Sequence, residues 1–449
     1  MSSIHSSSTD GDDTANIIVI TEAGDLLLEV RDEKLNQAFT YRVDINRTSQ
    51  ASAYFHRLLD PNKFEEGSTV SVKLEVLRKC HKNFSDVPME ELPRIRISNI
   101  GRISKVSSIK QLFGDFLKVL HGQDIGPPSP GAAAIPLGNL ANLAVVADRF
   151  DALPHVTAYI RRKRFLETLD ARGKAKPAKA SEERLRQRLL VGALFDHSPW
   201  IMSASQNLII TGSARWKPEA SADDDLPLWH DLPLGLEDEL IMRRNYVLDT
   251  LQSLALHFVQ AYSSGVQQCR LGYASSWVCD SFQLGEMTKF LKKNNLIKIA
   301  PILTGQEEID PYSGDIERIL DIYKSCPTYK MDEYHNHCGM RTRLVPIIEH
   351  LEILLRASSL HGVGICGECW KTHRIKYAWT DAMRPVGWQA PVPRPPSHLT
   401  IKHPGSEACL QQHIAIRNMF LAVERLWTFN EDRSEGIRFG KTTPFLKYD

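Results

Sequence analysis

Short apolar runs separated by polar turns fill the first part of the chain. Residues 17–21 (IIVIT) and 25–30 (DLLLEV) have the length of strands, and an acidic turn lies between them. Apolar and polar positions alternate in 38–44, in 68–76 (STVSVKLEV) and in 93–100 (PRIRISNI). These five runs predict a small β-sheet near the N-terminus.

Helical periodicity begins inside this region and dominates the rest of the chain. The clearest case is 107–122, where an apolar stripe runs from Ile109 to Leu120 and Gly122 follows it. We interpret this stripe as core packing rather than a partner groove. Further helices are predicted at 47–60, 139–164 with a break near Pro154, 184–195, 235–262, 345–360 and 408–427. The pattern predicts an α+β fold, with an N-terminal α/β domain and a mainly α-helical, Cys/His-containing C-terminal region.

Composition narrows the class of protein. The 449 residues are 42% hydrophobic and 24% charged, as is usual for soluble globular proteins of two or three domains. The formal net charge of +1 predicts no overall electrostatic attraction to nucleic acid or to membrane surfaces. No apolar run approaches the length of a membrane helix, about 20 residues. Residues 1–14, rich in Ser and Asp, predict a disordered tail rather than a signal peptide.

Cysteine placement is the strongest chemical signal. Seven of the eight cysteines follow residue 265. Because no secretory signal precedes them, we expect a reducing compartment, cytoplasmic or nuclear, where disulfides are disfavoured. Clustered cysteines in such a compartment indicate metal binding, and we predict one or two structural zinc ions.

The first group of potential ligands ends in the stretch YHNHCGM, residues 334–340. It contains four cysteines and two histidines, Cys269, Cys279, Cys326, Cys338, His335 and His337. Zinc takes four sulfur or nitrogen donors in a tetrahedron. At most one histidine is needed if three cysteines contribute, and we favour His337. The spacings are wider than in a zinc knuckle, so the number of donors carries this prediction.

The second group begins with the knuckle Cys366-Gly-Glu-Cys369 and continues with Cys409 and His413. A C-x2-C pair with Gly between its members is a compact zinc motif. If Cys409 opens the last helix, His413 lies one turn later on the same face. A gap of 39 residues separates the two halves of this site.

Other interpretations of these residues remain open. The cysteines can be buried, reduced core residues, and the histidines can be exposed loop residues. A thioredoxin-like role for Cys366 and Cys369 is disfavoured because no βαβ pattern surrounds them. A Cys–His nucleophile at Cys338 would need a base and an oxyanion hole, for which the sequence gives no sign. GVGICG (362–367) lacks the lysine and the spacing of a phosphate-binding loop.

A basic segment joins the two halves of the chain. Residues 161–188 carry 11 Lys or Arg against 4 Asp or Glu, and 171–180 is of low complexity. Such a segment can contact nucleic acid or direct nuclear import. We favour a solvated helix face and a flexible linker, because aromatic residues for base stacking are sparse there.

Several segments of the first third of the chain follow one another in a recognisable order. They are GDLLLEV (24–30), FTYRVDINRTSQASAYFHRLL (39–59), FEEG (64–67), IRISNI (95–100), SIKQLFGDFLKVLHG (108–122) and LANLAVVADRFDALPHVTAYIRRK (140–163). As an ordered set they resemble a BTB/POZ domain of the divergent type found in filamentous fungi. The chain departs from the family by a long insert between FEEG and IRISNI. CRLGYASSWVCDSFQLGEM and HNHCGMRTRL also resemble a C-terminal region of those fungal proteins.

The resemblance implies a binding module that forms homo- or hetero-oligomers and brings no catalytic machinery. Many animal members recruit a cullin ubiquitin ligase through an apolar-x-Glu signature, which ISKVSSIKQLF (103–113) does not clearly contain. Recruitment of a cullin is therefore left open.

These observations predict four segments: a tail (1–14), a BTB/POZ-like domain (15–165), a basic flexible linker (166–183) and a helical region with Cys/His clusters (184–449). The predicted function is non-enzymatic protein–protein interaction or scaffolding, with protein partners, self-association through the BTB-like domain and no membrane. One alternative is a chromatin or transcription regulator that uses residues 161–188. A less favoured alternative is an enzyme that uses the Cys/His region.

Overall fold

A computed structural model describes most of the chain. The described residues are 17–32, 37–104, 108–126, 135–175, 180–216, 226–269, 271, 274–297, 314–335, 338–356, 362–389 and 404–427. The chain divides into two compact units. The first contains residues 1–197 and 223–231, and the second contains 198–222 and 232–449.

The first unit contains a four-stranded sheet in the order β1-β3-β2-β4. Strands β2 and β3 are antiparallel, whereas β1 pairs with β3 and β4 pairs with β2 in parallel. Leu27 and Leu28 are both fully buried although they point to opposite faces of β2, so this strand is covered on both sides. The strands are β1 (Ile17–Val19), β2 (Leu26–Asp32), β3 (Gln37–Val43) and β4 (Arg94–Ile97).

Eight helices complete the described part of the first unit. They are α1 (Ile45–Ala51), α2 (Ala53–Leu58), α3 (Glu65–Cys80), α4 (Ile109–Leu120), α5 (Leu137–Arg149), α6 (Leu153–Arg162), α7 (Phe165–Ala175) and α8 (Glu182–Leu194). Serine caps begin several of them: the hydroxyl of Ser108 accepts from the Gln111 N–H at the start of α4. The stripe predicted on α4 is buried and reaches an aromatic cluster, in which the Phe55 and Phe150 rings stack at 5.2 Å.

The strand predicted at 68–76 is wrong, because these residues lie within α3. The apolar residues of 68–76 alternate, but Val70 and Leu74 also recur at helical spacing with Leu77, and the helix buries all three. Leu77 joins a cluster that includes Leu27 of β2. Val72, which a strand would place beside Leu74, is 62% exposed. Tertiary packing of the 70/74/77 stripe therefore overrides the β-propensity of the valines.

The first compact unit continues past the boundary predicted at residue 165. Helix α8 packs against α5 and buries Leu189 and Leu190 completely. Part of the predicted linker is helical, because α7 covers its first ten residues, 166–175. Arg188 on α8 forms an ion pair with Asp170 on α7, at 2.7 Å. Residues 176–179 of the predicted linker and the predicted tail at 1–14 lie outside the described residues.

The second unit is mainly helical. Its helices are α9 (Ser198–Thr211), α10 (Leu236–Ser263), α11 (Ser276–Lys293), α12 (Ile316–Lys324), α13 (Met340–Arg356), α14 (Gly367–Thr372), α15 (Arg374–Tyr377) and α16 (Glu407–Leu421), and its strands β5 (Gly387–Gln389) and β6 (Glu424–Leu426) pair in parallel. The long helix α10 packs against α9, α11 and α16. Among the described helices, none is both long and apolar enough to cross a membrane. The predicted α+β class, mostly helical with a small N-terminal sheet, is confirmed.

Candidate metal centres

The second unit contains two groups of four buried sulfur and nitrogen donors. The first cluster is Cys269, Cys279, His335 and Cys338, and the second cluster is Cys366, Cys369, Cys409 and His413. Within each cluster the four donor atoms lie within 4.8 Å of one another. None of the eight cysteines, all within the described residues, forms a disulfide.

Three separate segments build the first cluster. Cys269 lies in the loop after α10, and Cys279 lies in the first turn of α11. His335 and Cys338 lie just before α13. The ligands therefore connect the starts of two helices with a loop that follows a third.

Polar side chains hold these segments in place. Asp280, next to Cys279, accepts hydrogen bonds from the backbone N–H groups of residues 268 and 269 at 2.6 and 2.8 Å. Arg343 donates to the carbonyl oxygen of Gln268 at 2.9 Å. The hydroxyl of Tyr262 on α10 donates to the carbonyl of Cys338. The backbone on each side of the cluster is thus fixed by residues from α10, α11 and α13.

The separations in the first cluster match a tetrahedral zinc site. Cys269 Sγ lies 3.6 Å from Cys338 Sγ and 3.4 Å from His335 Nδ1, and Cys338 Sγ lies 3.7 Å from the same nitrogen. Tetrahedral zinc with Zn–S bonds of about 2.3 Å places sulfurs about 3.8 Å apart. An ion can therefore occupy the centre with only small movements of the ligands.

The thiols of the first cluster share protons. The pKa of Cys269 lies well below its usual range because the thiols of Cys279 and Cys338 donate hydrogen bonds to its sulfur. The hydrogen bond to Cys269 raises the pKa of Cys279 to about 12 and also raises that of Cys338. A divalent cation that binds here must displace protons, so its affinity increases with pH.

One residue named in the sequence prediction, Cys326, is not in the first cluster. Cys326 is buried, but its thiol lies against the carbonyl of Pro327 at 3.7 Å, and burial raises its pKa to about 11. His337 lies outside the described residues. The imidazole that the structure places beside the thiols is that of His335.

The sequence contained a signal that favours His335. His335 and Cys338 are separated by two residues, the spacing of the knuckle at Cys366 and Cys369. Two intervening residues let a turn direct both donors at one ion, as in a zinc knuckle.

The second cluster combines the knuckle with the start of α16. Cys366 is the residue before α14, Cys369 lies within α14, and Cys409 and His413 lie one turn apart on α16. Cys369 Sγ and Cys409 Sγ are 3.6 Å apart. The structure brings together all four residues that the sequence placed in this group.

A buried network supports the knuckle of the second cluster. The Cys366 N–H donates to the hydroxyl of Tyr377 at 2.6 Å, and the Tyr377 ring lies edge-on to His413 at 5.1 Å. Arg243 on α10 donates to the carbonyls of Val363 and Gly364 at 3.0 and 2.9 Å. The backbone that leads into the first ligand is therefore anchored to α10.

Glu239 completes this network. Its carboxylate accepts from Arg243 Nε at 2.7 Å and from the Trp379 N–H at 3.0 Å, and both charged side chains are almost fully buried. The guanidinium also lies 4.9 Å from the Tyr377 ring and 5.0 Å from the Trp379 ring. This ion pair joins α10 to the segments on both sides of Tyr377.

The second cluster shares protons in the same way as the first. Hydrogen bonds from Cys369 and from His413 favour the thiolate of Cys366, and its pKa is lowered to about 4 although burial opposes this. The pKa of Cys369 is raised because it donates to Cys366, and burial raises that of Cys409. One thiolate beside neutral thiols is an incomplete ligand set that a cation would complete.

Ion pairs occupy much of the described basic segment. Arg161 pairs with Asp196 and Lys163 with Asp124, at 3.4 and 2.7 Å. Arg186 is fully buried and donates to Glu182 at 2.9 Å. These cations thus have acidic partners within the first unit.

Comparison with known proteins adds no relative: the chain matches no protein-family model, no curated protein and no solved structure.

Proposed function

We propose that this chain is a non-enzymatic protein-interaction protein whose second unit is stabilised by two structural zinc ions, each bound by three cysteines and one histidine. The observation that carries the proposal is the presence of two sets of four buried donors, each gathered within 4.8 Å. Thiolate and imidazole donors favour zinc over the harder cations Mg²⁺ and Ca²⁺.

The donor sets favour a structural role over a catalytic one. A catalytic zinc keeps one position open for water or substrate, whereas four protein ligands close the tetrahedron. In each cluster all four ligand residues are buried, and the ligands come from segments far apart in the sequence. Each ion would therefore join segments of the second unit that are far apart in the sequence.

The interaction role rests on the first unit. Its described elements run three strands, a helix pair, the helix α3 that begins within FEEG, a strand, a helix and a helix pair, followed by α7 and α8. This order supports the resemblance to a BTB/POZ domain, in which the insert between FEEG and IRISNI corresponds to α3 and the turns that follow it. We infer that self-association occurs through this unit.

Metal analysis of the purified full-length chain tests the zinc part of the proposal. We expect two equivalents of zinc, released when a thiol-modifying reagent is added under denaturing conditions. Less than half an equivalent would contradict the proposal. Light scattering of the zinc-loaded chain tests self-association separately: a dimer or larger species is expected, and a monomer at high micromolar concentration would contradict that part.

A further inference from the structure

The two ring nitrogens of His335 face different groups. Nδ1 lies 3.4 and 3.7 Å from the sulfurs of Cys269 and Cys338. Nε2 lies 3.7 Å from Oδ2 of Asp332. The ring, which is 1% exposed, therefore stands between the thiols of the first cluster and a carboxylate that is 43% exposed.

The two oxygens of Asp332 have separate partners. Oδ1 accepts hydrogen bonds from the backbone N–H groups of Tyr334 and His335, at 2.9 and 3.0 Å. These bonds form a turn that begins at Asp332 and fixes the backbone at Tyr334 and His335. Oδ2 is directed at the imidazole instead, so the turn and the ring contact can be changed independently.

We propose that Asp332 is a positioning residue of the first metal centre, whose carboxylate accepts a hydrogen bond from the Nε2–H of His335 and thereby leaves Nδ1 as the zinc ligand. The inference rests on the proposed function, since it requires zinc in the first cluster. Metal-bound histidines usually donate their second N–H to a carboxylate or carbonyl, which sets the tautomer and the ring orientation.

The distance is consistent with this role once an ion is bound. A separation of 3.7 Å is about 0.8 Å longer than a direct hydrogen bond. A small rotation of the His335 ring or one bridging water closes this gap. The carboxylate also offsets part of the positive charge that an ion brings to the buried ring.

Asp332→Asn separates the two tasks of the residue. Asparagine retains a carbonyl oxygen for the two backbone N–H groups of the turn, but its amide nitrogen cannot accept a hydrogen bond from the Nε2–H of His335. Asp332→Ala removes both contacts. Glu349→Gln, an exposed carboxylate on α13 outside both clusters, is the charge-matched control.

The experiment uses the full-length chain loaded with ¹¹³Cd²⁺ or Zn²⁺ and titrated with a competing chelator. Each Cd²⁺ site gives its own NMR resonance, so the second cluster serves as an internal reference. We expect Asp332→Asn to weaken the first site by 10- to 100-fold and to leave the second site and the Glu349→Gln protein unchanged. Proton–nitrogen correlation of the wild-type zinc protein should show His335 bound through Nδ1 with a proton on Nε2.

The outcomes distinguish this inference from the function on which it rests. If the wild-type chain binds no metal at the first cluster, both fail. If it binds metal but Asp332→Asn has wild-type affinity, or if His335 binds through Nε2, the inference alone is overturned. A loss with Asp332→Ala but none with Asp332→Asn would also overturn it, because only the turn would then matter.

Discussion

Replacing Arg243 with methionine should destabilise the second unit strongly. The substitution removes the partner of Glu239, a carboxylate that is fully buried, and leaves the carbonyls of Val363 and Gly364 without their donor. At an effective dielectric constant of about 20, the lost attraction between charges about 4 Å apart is about 4 kcal/mol. Removing one partner of a buried ion pair in other proteins lowers the free energy of unfolding by about 3–5 kcal/mol, which agrees with this value.

A double variant tests the physical reason. Adding Glu239→Gln to Arg243→Met removes the uncompensated charge while keeping one oxygen for the Trp379 N–H. We therefore expect the double variant to lose less free energy of unfolding than Arg243→Met alone, by at least about 1 kcal/mol.

Native-state hydrogen exchange measures these changes, read at the slowest amides of α10 with both clusters saturated with zinc. Arg318→Met, at an exposed position of α12, is the matched control and should change the free energy of unfolding by less than about 0.5 kcal/mol. A cost below about 1 kcal/mol for Arg243→Met, or strict additivity with Glu239→Gln, would refute the reasoning.

Three further predictions follow from individual contacts. Cys279→Ser and Cys409→Ser should each reduce the zinc content by one ion, whereas Cys326→Ser should retain both ions; equal losses from all three would show that the clusters are misassigned. Leu74→Ala should lower the free energy of unfolding in urea by about 2–5 kcal/mol, and Val72→Ala by less than about 0.5 kcal/mol, because Leu74 is buried and Val72 is exposed. Equal losses would favour a strand at 68–76. Burial lowers the pKa of His121, whose Nε2 accepts from the Asp44 N–H. The unfolded state gains this proton below pH of about 6.5 while the folded state does not, so stability should fall as the pH decreases through that value, by up to about 1.4 kcal/mol per unit. The pH dependence should be weaker in His121→Gln, and an unchanged slope would contradict the assignment.

Local patterns predicted much of the fold because the elements carry clear signals. The stripe of α4 with Ser108 before it and Gly122 after it identifies a helix without knowledge of its neighbours. Residues 68–76 lack such a signal, since their apolar positions satisfy both the period of a strand and that of a helix. Long-range packing distinguishes the two, since the core cluster that contains Leu77 also contains Leu27, fifty residues earlier.

The candidate centres show a similar division. The knuckle at Cys366 and Cys369 is a local motif, and the sequence grouped it with Cys409 and His413 as the structure does. In the first group predicted from the sequence, no local rule separates Cys326 from Cys269, Cys279 and Cys338, and the structure buries all four. Which of these cysteines come together depends on how α10, α11 and α13 pack. The supporting roles of Asp280, Tyr377 and Arg243 depend on the same long-range packing.

X-ray absorption at the zinc edge of the purified full-length chain tests the central claim most directly. Two Cys3His centres predict an average of three sulfur ligands at about 2.3 Å and one nitrogen ligand at about 2.0–2.1 Å per zinc, in protein that contains two zinc ions per chain. A first coordination shell of mainly oxygen and nitrogen, or of four sulfurs, would contradict the account.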